Sequence, residues 1–171
     1  MLGREYANQD CAIAGALDLL GERWTLLIVR DAFFGVRRFD DFVVHLDIPR
    51  AVLSDRLKTL LRHEVLVKAP DLQRPGRFEY RLTEAGEELW PLLYALISWG
   101  SRYARRSTRR YTHVGCDAEL DQSGRCPGCG ELPPAADVMI SLRAAQQPGR
   151  TDPVSRAMRE PHRLLTPLPV E

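Results

Sequence analysis

The sequence lacks long apolar runs and an excess of charge of either sign. None of its uninterrupted apolar stretches approaches the roughly 20 residues that cross a bilayer, and the N-terminal stretch MLGREYANQDC lacks the basic and apolar regions of a signal peptide. These absences predict a cytoplasmic protein with no membrane partner. Because the net charge is only +1, nucleic-acid binding has to be argued from where the charges lie.

Catalytic motifs are absent as well. The chain has no glycine-rich phosphate loop, no H-E-x-x-H and no nucleophile motif around Ser54, Ser98 or Ser101. We therefore expect that it is not an enzyme. With 44% hydrophobic residues in 171, it has enough apolar surface for one ordinary domain with an appendage.

Apolar residues at three- and four-residue spacing predict two helices at the start of the chain. The first begins near Asp10, which can cap it, and Gly21 can end it. The second covers residues 22–34. Its predicted buried stripe is Trp24, Leu27, Ile28, Val29 and Ala32.

The next segment predicts a helix, a tight turn and a second helix. One helix starts at Arg38 or Phe39, and the other runs from Pro49 to about His63. Proline is favoured at the first position of a helix, where its missing N–H would be unpaired anyway. We therefore expect the turn at residues 47–48.

A hairpin and a long helix are predicted to follow. Residues 65–67 favour a strand, 71–76 a loop, and 77–82 a return strand whose alternate residues Phe78, Tyr80 and Leu82 point inward. Thr83 is a candidate cap for a helix that continues toward Arg106, with a break at residues 90–92 because of Pro91. The apolar surface after Pro91 is wider than a small domain covers, which favours dimerisation.

The helix at residues 49–63 has a polar arc opposite its leucines, and it can enter a DNA major groove. The hairpin then forms a wing with basic residues near its tip, where contacts to phosphate or minor groove are expected. The alternative is that the arc is the solvated face of an ordinary amphipathic helix. The candidate DNA-contacting residues are Arg38, Arg50, Ala51, Ser54, Asp55, Arg56, Lys58, Arg74 and Arg77. Arg56 lies on neither the polar nor the apolar arc, so pairing with an acidic side chain or a phosphate is expected as much as contact with a base.

Three motifs in order resemble the HxlR family of bacterial winged-helix regulators: ALDLLGERWTLLIVRDAFFGVRRFDDF, LSDRLKTLLRHEVL and FEYRLTEAGEEL. The resemblance spans about residues 11–103. It implies a homodimer, joined through the N-terminal helix and the long helix after Thr83, that presents two recognition helices to a two-fold DNA operator. At Pro49 the family more often has a polar residue, so no cap or phosphate contact is assigned there.

The late cysteines form a candidate metal site. His113 and Cys116 make an H-x2-C pair, and Cys126 and Cys129 make a C-x2-C pair nine residues later. Two such pairs suit tetrahedral Zn²⁺, and four protein ligands leave no position for an activated water, so we expect a structural ion. Asp117 or a water in place of His113, reduced thiols, and a Cys126–Cys129 redox pair are the alternatives.

The isolated Cys11 has two interpretations. Some members of the family that the chain resembles use a cysteine near this position to sense oxidants or electrophiles, and a thiol at the positive end of a helix can have a lowered pKa. The residue that follows is Ala12, where the family often has proline. The alternative is a small apolar residue buried in a dimer interface.

Together these features predict a mainly α fold with a small β wing: a winged helix-turn-helix with a long dimerisation helix and a zinc-knuckle extension. We expect a DNA-binding and dimerisation domain at 1–110 (recognition helix 49–63, wing 65–82), a zinc module at 111–140, and a proline-rich tail at 141–171 that is mobile or docked without its own core. The features favour transcriptional regulation as the function, with repression favoured over activation. A zinc-stapled protein-interaction module and a thiol sensor are the alternatives, and a small-molecule effector stays open.

Overall fold

The computed structural model describes residues 10–143 and 149–170. Four helices make up the first part: α1 is Ala12–Leu20, α2 is Thr25–Phe33, α3 is Phe39–Leu46 and α4 is Arg50–Arg62. Gly21 ends α1 as predicted, but the N-cap is Cys11 and not Asp10.

The second helix is shorter than predicted. Residues 22–24 form a turn in which the Thr25 N–H donates to the Glu22 carbonyl, so α2 begins at Thr25. Ile28, Val29 and Ala32 are buried as expected. The stripe was wrong at Leu27, which is 37% exposed on the outer side of the helix. Trp24 is only partly buried because it lies at the N-cap.

The turn between α3 and α4 is set by two backbone conformations. Asp47 adopts a left-handed conformation (φ 54°) that ends α3, as a short polar residue can. Pro49 was expected inside α4 but is its N-cap, with an extended ψ of 132°, and its carbonyl accepts from the Leu53 N–H. Leu53, Leu57 and Leu60 are buried, which fixes the inward side of α4.

The wing consists of β1 (Leu66–Pro70) and β2 (Phe78–Leu82), which pair antiparallel in a register that joins Leu66 to Leu82 and Pro70 to Phe78. The predicted inward alternation was wrong at Phe78, which is 53% exposed, whereas Glu79 is buried. Glu79 is buried because the segment before α3 covers that side of β2. The Tyr80 N–H donates to the Arg37 carbonyl, and the Arg37 guanidinium lies 3.8 Å from the Glu79 carboxylate.

A short helix precedes the long one. The Thr83 side chain accepts from the Gly86 N–H and caps α5 (Glu84–Glu87), as predicted. The break comes earlier than expected, before α6 (Trp90–Tyr103), so that Pro91 lies in its first turn, where proline costs no hydrogen bond. α6 ends at Tyr103 and not near Arg106. In the described part of the chain, no helix is long and apolar enough to span a bilayer.

The second half contributes an antiparallel sheet of order β4-β3-β5-β6. Its strands are β3 (Arg109–His113), β4 (Ala118–Glu119), β5 (Val138–Leu142) and β6 (His162–Arg163). The Tyr111 ring lies 5.8 Å from that of Trp90 on α6, so the sheet and the helices share one core. The expected segment ends at 110 and 140 fall inside β3 and β5, and that division stays a prediction.

The C-terminal segment is docked, which is one of the two predicted outcomes. After α7 (Pro153–Ala157), capped by Asp152, the chain returns across the first half. The Leu165 N–H donates to the Phe33 carbonyl, and the Leu168 N–H to the Gly35 carbonyl. Met158 and Leu164 are buried in the shared core. Residues 144–148 and 171 of the predicted tail lie outside the described residues.

Candidate nucleic-acid interface and metal centre

The outward side of α4 presents most of the residues predicted to contact DNA. Ala51, Asp55 and Lys58 are exposed and Ser54 is half-buried, opposite the buried leucines. Arg50 is also exposed, but it is held back against α3. Its guanidinium donates to Asp40 at 2.6 Å and lies 5.1 Å from the centre of the Phe39 ring.

Arg56 does not join this face. Its guanidinium lies 3.3 Å from the carboxylate of Glu22 and 3.6 Å from that of Asp55, and the side chain is 21% exposed. It therefore connects α4 to the turn before α2. This is the acidic pairing that the sequence left open for it.

Arg74 and Arg77 lie exposed at the tip of the wing, whereas Arg38 is bound to an acidic residue of the wing loop. Arg38 donates to the Asp71 carboxylate at 2.8 Å, and only 19% of its side chain is exposed. This hydrogen bond is the main cause that lowers the pKa of Asp71. Arg38 thus fastens the wing loop to the start of α3, beside a cavity of about 480 Å³ that Arg74 and Arg77 also line.

The four predicted metal ligands come together at the end of the sheet. His113 is the last residue of β3, Cys116 lies in the following turn, and Cys126 and Cys129 lie in the loop between β4 and β5. Their ligand atoms are all within 4.8 Å of one another, with 3.5 Å between Cys129 Sγ and His113 Nδ1. Tetrahedral zinc with 2.3 Å bonds places thiolates about 3.8 Å apart. The four residues could therefore hold a metal ion, and Asp117 is not part of this cluster.

Neighbouring hydrogen-bond donors stabilise the thiolate form of Cys126. Burial would raise its pKa, but the Cys129 N–H, the His113 ring and the Gly128 N–H favour the charged sulfur and lower the pKa to about 6. Cys116 is affected in the opposite sense, because its hydrogen bond with Cys129 raises its pKa to about 11. The Cys126 loop is closed by its own carbonyl, which accepts from the Gly130 N–H at 2.7 Å.

Cys11 is exposed at the N-terminal end of α1. Backbone hydrogen bonds from Ala14 and then Ile13 lower the pKa of its thiol. A lowered pKa favours the thiolate, which is the reactive form of cysteine. The described residues do not bury the Cys11 side chain.

A buried charge cluster between α2 and α3 was not predicted from the sequence. Asp31 on α2 is fully buried, accepts from Arg30 at 2.6 Å, and lies 2.6 Å from Nδ1 of His45 on α3. The adjacent Arg30-Asp31 pair was the only signal, since nothing in the pattern of α3 marks His45 as facing inward.

A helix-turn-helix with an antiparallel wing defines a class of DNA-binding transcriptional regulators. The HxlR-like helix-turn-helix family model matches residues 19–108, so the chain belongs to that family. HTH-type transcriptional regulator Rv3095 of Mycobacterium tuberculosis is 43% identical over 123 residues, which cover 70% of this chain and 78% of that protein. The regulator YdeP of Bacillus subtilis is 30% identical over 109 residues, which cover 61% and 85%.

Two solved structures are similar to the first half. PA1607, assigned as a transcription factor, matches with a TM-score of 0.55 and 40% identity over 58% of this chain and 69% of its own. The redox regulator HypR in its oxidized form matches with a TM-score of 0.50 and 27% identity over 54% and 96%. The protein is a transcriptional regulator of the helix-turn-helix type.

Proposed function

We propose that the protein is a sequence-specific repressor that binds a two-fold double-stranded DNA operator as a homodimer. The observation that carries this proposal is the outward side of α4, where Ala51, Asp55 and Lys58 are exposed to solvent. A helix of this length fits the major groove, and its first turns meet the base edges.

The roles of the side chains follow from their chemistry. Arg50 and Lys58 can donate to guanine acceptors, Ser54 to either partner of a base pair, Asp55 can accept from cytosine, and Ala51 can contact a thymine methyl. In the free protein Arg50 bonds to Asp40, so reaching a base requires Arg50 to leave that exposed pair. An exposed ion pair contributes about 1 kcal/mol or less to stability, so breaking the pair of Arg50 with Asp40 costs little free energy.

Binding to the promoter of the protein's own gene tests the proposal. We expect Arg50→Ala or Lys58→Ala to weaken specific binding by about 1–3 kcal/mol, and Arg77→Ala to weaken binding to all sequences and reduce its salt dependence. Arg163→Ala, which removes an exposed arginine from β6, is the matched control. Wild-type affinity in both α4 variants would show that this face does not read DNA.

The proposed dimer rests on an uncovered apolar stripe of α6. Leu92, Leu96, Trp99 and Tyr103 repeat at four- and three-residue spacing and are 45%, 45%, 61% and 65% exposed. Ile13 and Leu17 on α1 are exposed too. Side chains of this size are normally buried, and a two-fold contact between copies would bury them while presenting two copies of α4 to one side of the DNA.

We further propose that the cluster of His113 and three cysteines holds structural Zn²⁺. The ion would fasten the turn after β3 to the Cys126 loop, because the donor set is the one that zinc prefers and no open position is left. Purification without chelators should give one zinc per chain, and Cys126→Ser should lose it. Cys11→Ser is the control and should keep it. Substoichiometric metal that Cys126→Ser does not change would exclude the zinc.

A thiol sensor at Cys11 is a second candidate function, favoured by the exposure and the lowered pKa of this thiol. The similarity to HypR, a redox regulator, adds to it. Operator binding by wild type should change after treatment with diamide or a quinone, whereas Cys11→Ser should not respond. If the two proteins respond identically, Cys11 senses nothing.

A further inference from the structure

A cavity of about 390 Å³ lies between α6 and the four-stranded sheet, on the other side of α6 from the proposed dimer stripe. Its volume falls in the range of small-molecule sites. Part of its wall comes from residues beyond the matched family region, on β3, β4 and the end of β5. The cavity is therefore a feature that the C-terminal extension adds to the winged helix-turn-helix.

The lining has more positive than negative groups. Arg102, Arg106, Arg109 and Arg143 contribute to it, against the carboxylates of Glu119 and Asp121. Both carboxylates are already engaged by other groups. Glu119 accepts from Arg110 at 3.1 Å and from Arg143, and Asp121 accepts from the Ser123 N–H and hydroxyl and from the Arg125 N–H.

Three of the four guanidinium groups that line the cavity form no ion pair with a described carboxylate. Arg102 donates only to the neutral amide of Gln122. Arg109 donates to the Met158 carbonyl at 2.7 Å and lies over the Phe34 ring. Arg106 is exposed and forms no ion pair. Guanidinium groups that share one cavity without a counter-charge favour an anionic ligand.

A hydroxyl group on the cavity wall offers a further hydrogen-bond donor. Tyr111 is 6% exposed and lines the cavity, yet its hydroxyl makes no hydrogen bond with any described residue. Burial raises the pKa of Tyr111 to about 12, so the hydroxyl stays protonated and can donate. By contrast, the neighbouring Tyr94 hydroxyl is satisfied by the Asp121 carbonyl at 2.9 Å.

We propose that this cavity binds a small aromatic carboxylate as the effector of the regulator. The carboxylate would lie against Arg106 and accept from the Tyr111 hydroxyl, and the ring would pack against Ile97, Leu120 and the Tyr94 ring. α6 forms one wall of the cavity and carries the proposed dimer stripe on its other side. A ligand bound in the cavity would therefore change how two copies of the chain pair. This last step rests on the proposed function, whereas ligand binding itself does not.

Calorimetric titration of the full-length, metal-loaded protein with benzoate tests the site, with benzyl alcohol and benzylamine as neutral and cationic probes of matched size. We expect one benzoate per chain and no binding of benzylamine. Arg106→Gln should reduce benzoate affinity about tenfold or more, and Tyr111→Phe about threefold to tenfold, the range for lost charged and neutral hydrogen bonds. Arg105→Gln, a neighbouring exposed arginine outside the lining, should bind like wild type.

Three results would overturn the proposal: no benzoate binding at millimolar concentration, equal binding of benzylamine, or unchanged affinity in both cavity variants. Operator affinity measured with and without benzoate on the same samples separates this inference from the proposed function. If the protein binds no operator, calorimetry still reports on the cavity. If Arg106→Gln weakens operator binding and leaves benzoate binding unchanged, Arg106 serves DNA and not this ligand.

Discussion

Asp31 shows how one buried carboxylate supports the face that is proposed to read DNA. It accepts two hydrogen bonds from Arg30 on its own helix and lies against His45, which faces it from α3. Because α3 packs on α4, the position of the helix-turn-helix depends on this charge cluster. Removing one partner of a buried pair leaves the other charge uncompensated.

We therefore expect Asp31→Asn to lower the free energy of unfolding by about 3 kcal/mol. Chemical denaturation at neutral pH measures this loss. Asp10→Asn, which changes an exposed carboxyl, should alter stability by less than about 0.5 kcal/mol. A similar small effect in both variants would mean that the cluster contributes nothing net.

The same residue predicts a pH dependence. Burial alone would raise the pKa of Asp31, but Arg30 and His45 outweigh it and hold that pKa below its usual value. Its contribution to stability is then present above the unfolded pKa of about 3.9 and is lost as the pH falls through the lower, folded pKa. The stability difference between wild type and Asp31→Asn should be constant at mildly acid pH and shrink below about pH 4, as denaturation across that range would show.

Prediction at the residue scale succeeded where local chemistry alone decides. The close approach of His113, Cys116, Cys126 and Cys129 was predicted from their spacing, because a two-residue gap lets one loop turn both side chains toward one point. Glu79 was missed because its burial depends on Arg37, which is distant in sequence and faces β2 only in the folded chain. Alternation along a strand cannot reveal that both sides of the strand are covered.

At the scale of elements, the docking of the C-terminal segment is decided at Gly35. This residue has a φ of +90°, and an added Cβ would lie 2.0 Å from the Thr166 carbonyl oxygen. We expect Gly35→Ala to displace the segment around residue 166, with a loss of several kcal/mol in the free energy of unfolding because buried contacts of Leu164 and Leu168 are lost with it. Limited proteolysis should then cut within 149–170.

Gly76 provides the matched control for that substitution. Its φ is +80°, but no atom lies within 4 Å of an added Cβ. Gly76→Ala should therefore show only the backbone cost of a left-handed residue, about 1–2 kcal/mol, with no new cleavage in the C-terminal segment. Equal effects in the two variants would mean that the segment is not held at Gly35.

Element prediction was accurate where periodicity and a cap agreed, as at Thr83 and at the leucines of α4. Helix ends were less accurate. Pro49 was predicted as the first residue of α4 and is its N-cap, whereas Pro91 was predicted to break a longer helix and lies in the first turn of α6. Proline fixes its own φ but is compatible with either the N-cap or the first turn. Strands β4 and β6 are two residues long, and they form by pairing with β3 and β5, which no local pattern predicts.

On the scale of the whole molecule, the extension and the winged helix-turn-helix share one core, so the extension can influence the DNA-binding half. Phe33, Trp90, Tyr111 and Met158 belong to a single buried cluster although they come from distant parts of the chain. The sequence indicated separate segments because cysteine and proline mark local boundaries, whereas shared burial is set by tertiary contacts. A ligand or metal bound by the extension would therefore act on α6 through the side chains of this shared core.

The apolar stripe of α6 yields the prediction about assembly. Trp99 is 61% exposed at its centre, and placing a charge there would leave that charge desolvated in a contact between two copies. We expect sedimentation to show wild type as a dimer and Trp99→Glu as a folded monomer at the same concentration, because Trp99 is outside the core of the single chain. Leu132→Glu, a charge placed on another exposed apolar residue away from the stripe, should remain dimeric.

Operator binding by the same two variants connects assembly to function. A dimer binds two half-sites at once, so a monomer should lose the second set of phosphate and base contacts and bind the full operator at least about 100-fold more weakly. Its dependence on salt should fall roughly by half, since half as many counterions are released. If Trp99→Glu stays dimeric, or binds as a monomer with undiminished affinity and salt dependence, two copies of α4 do not act together through α6.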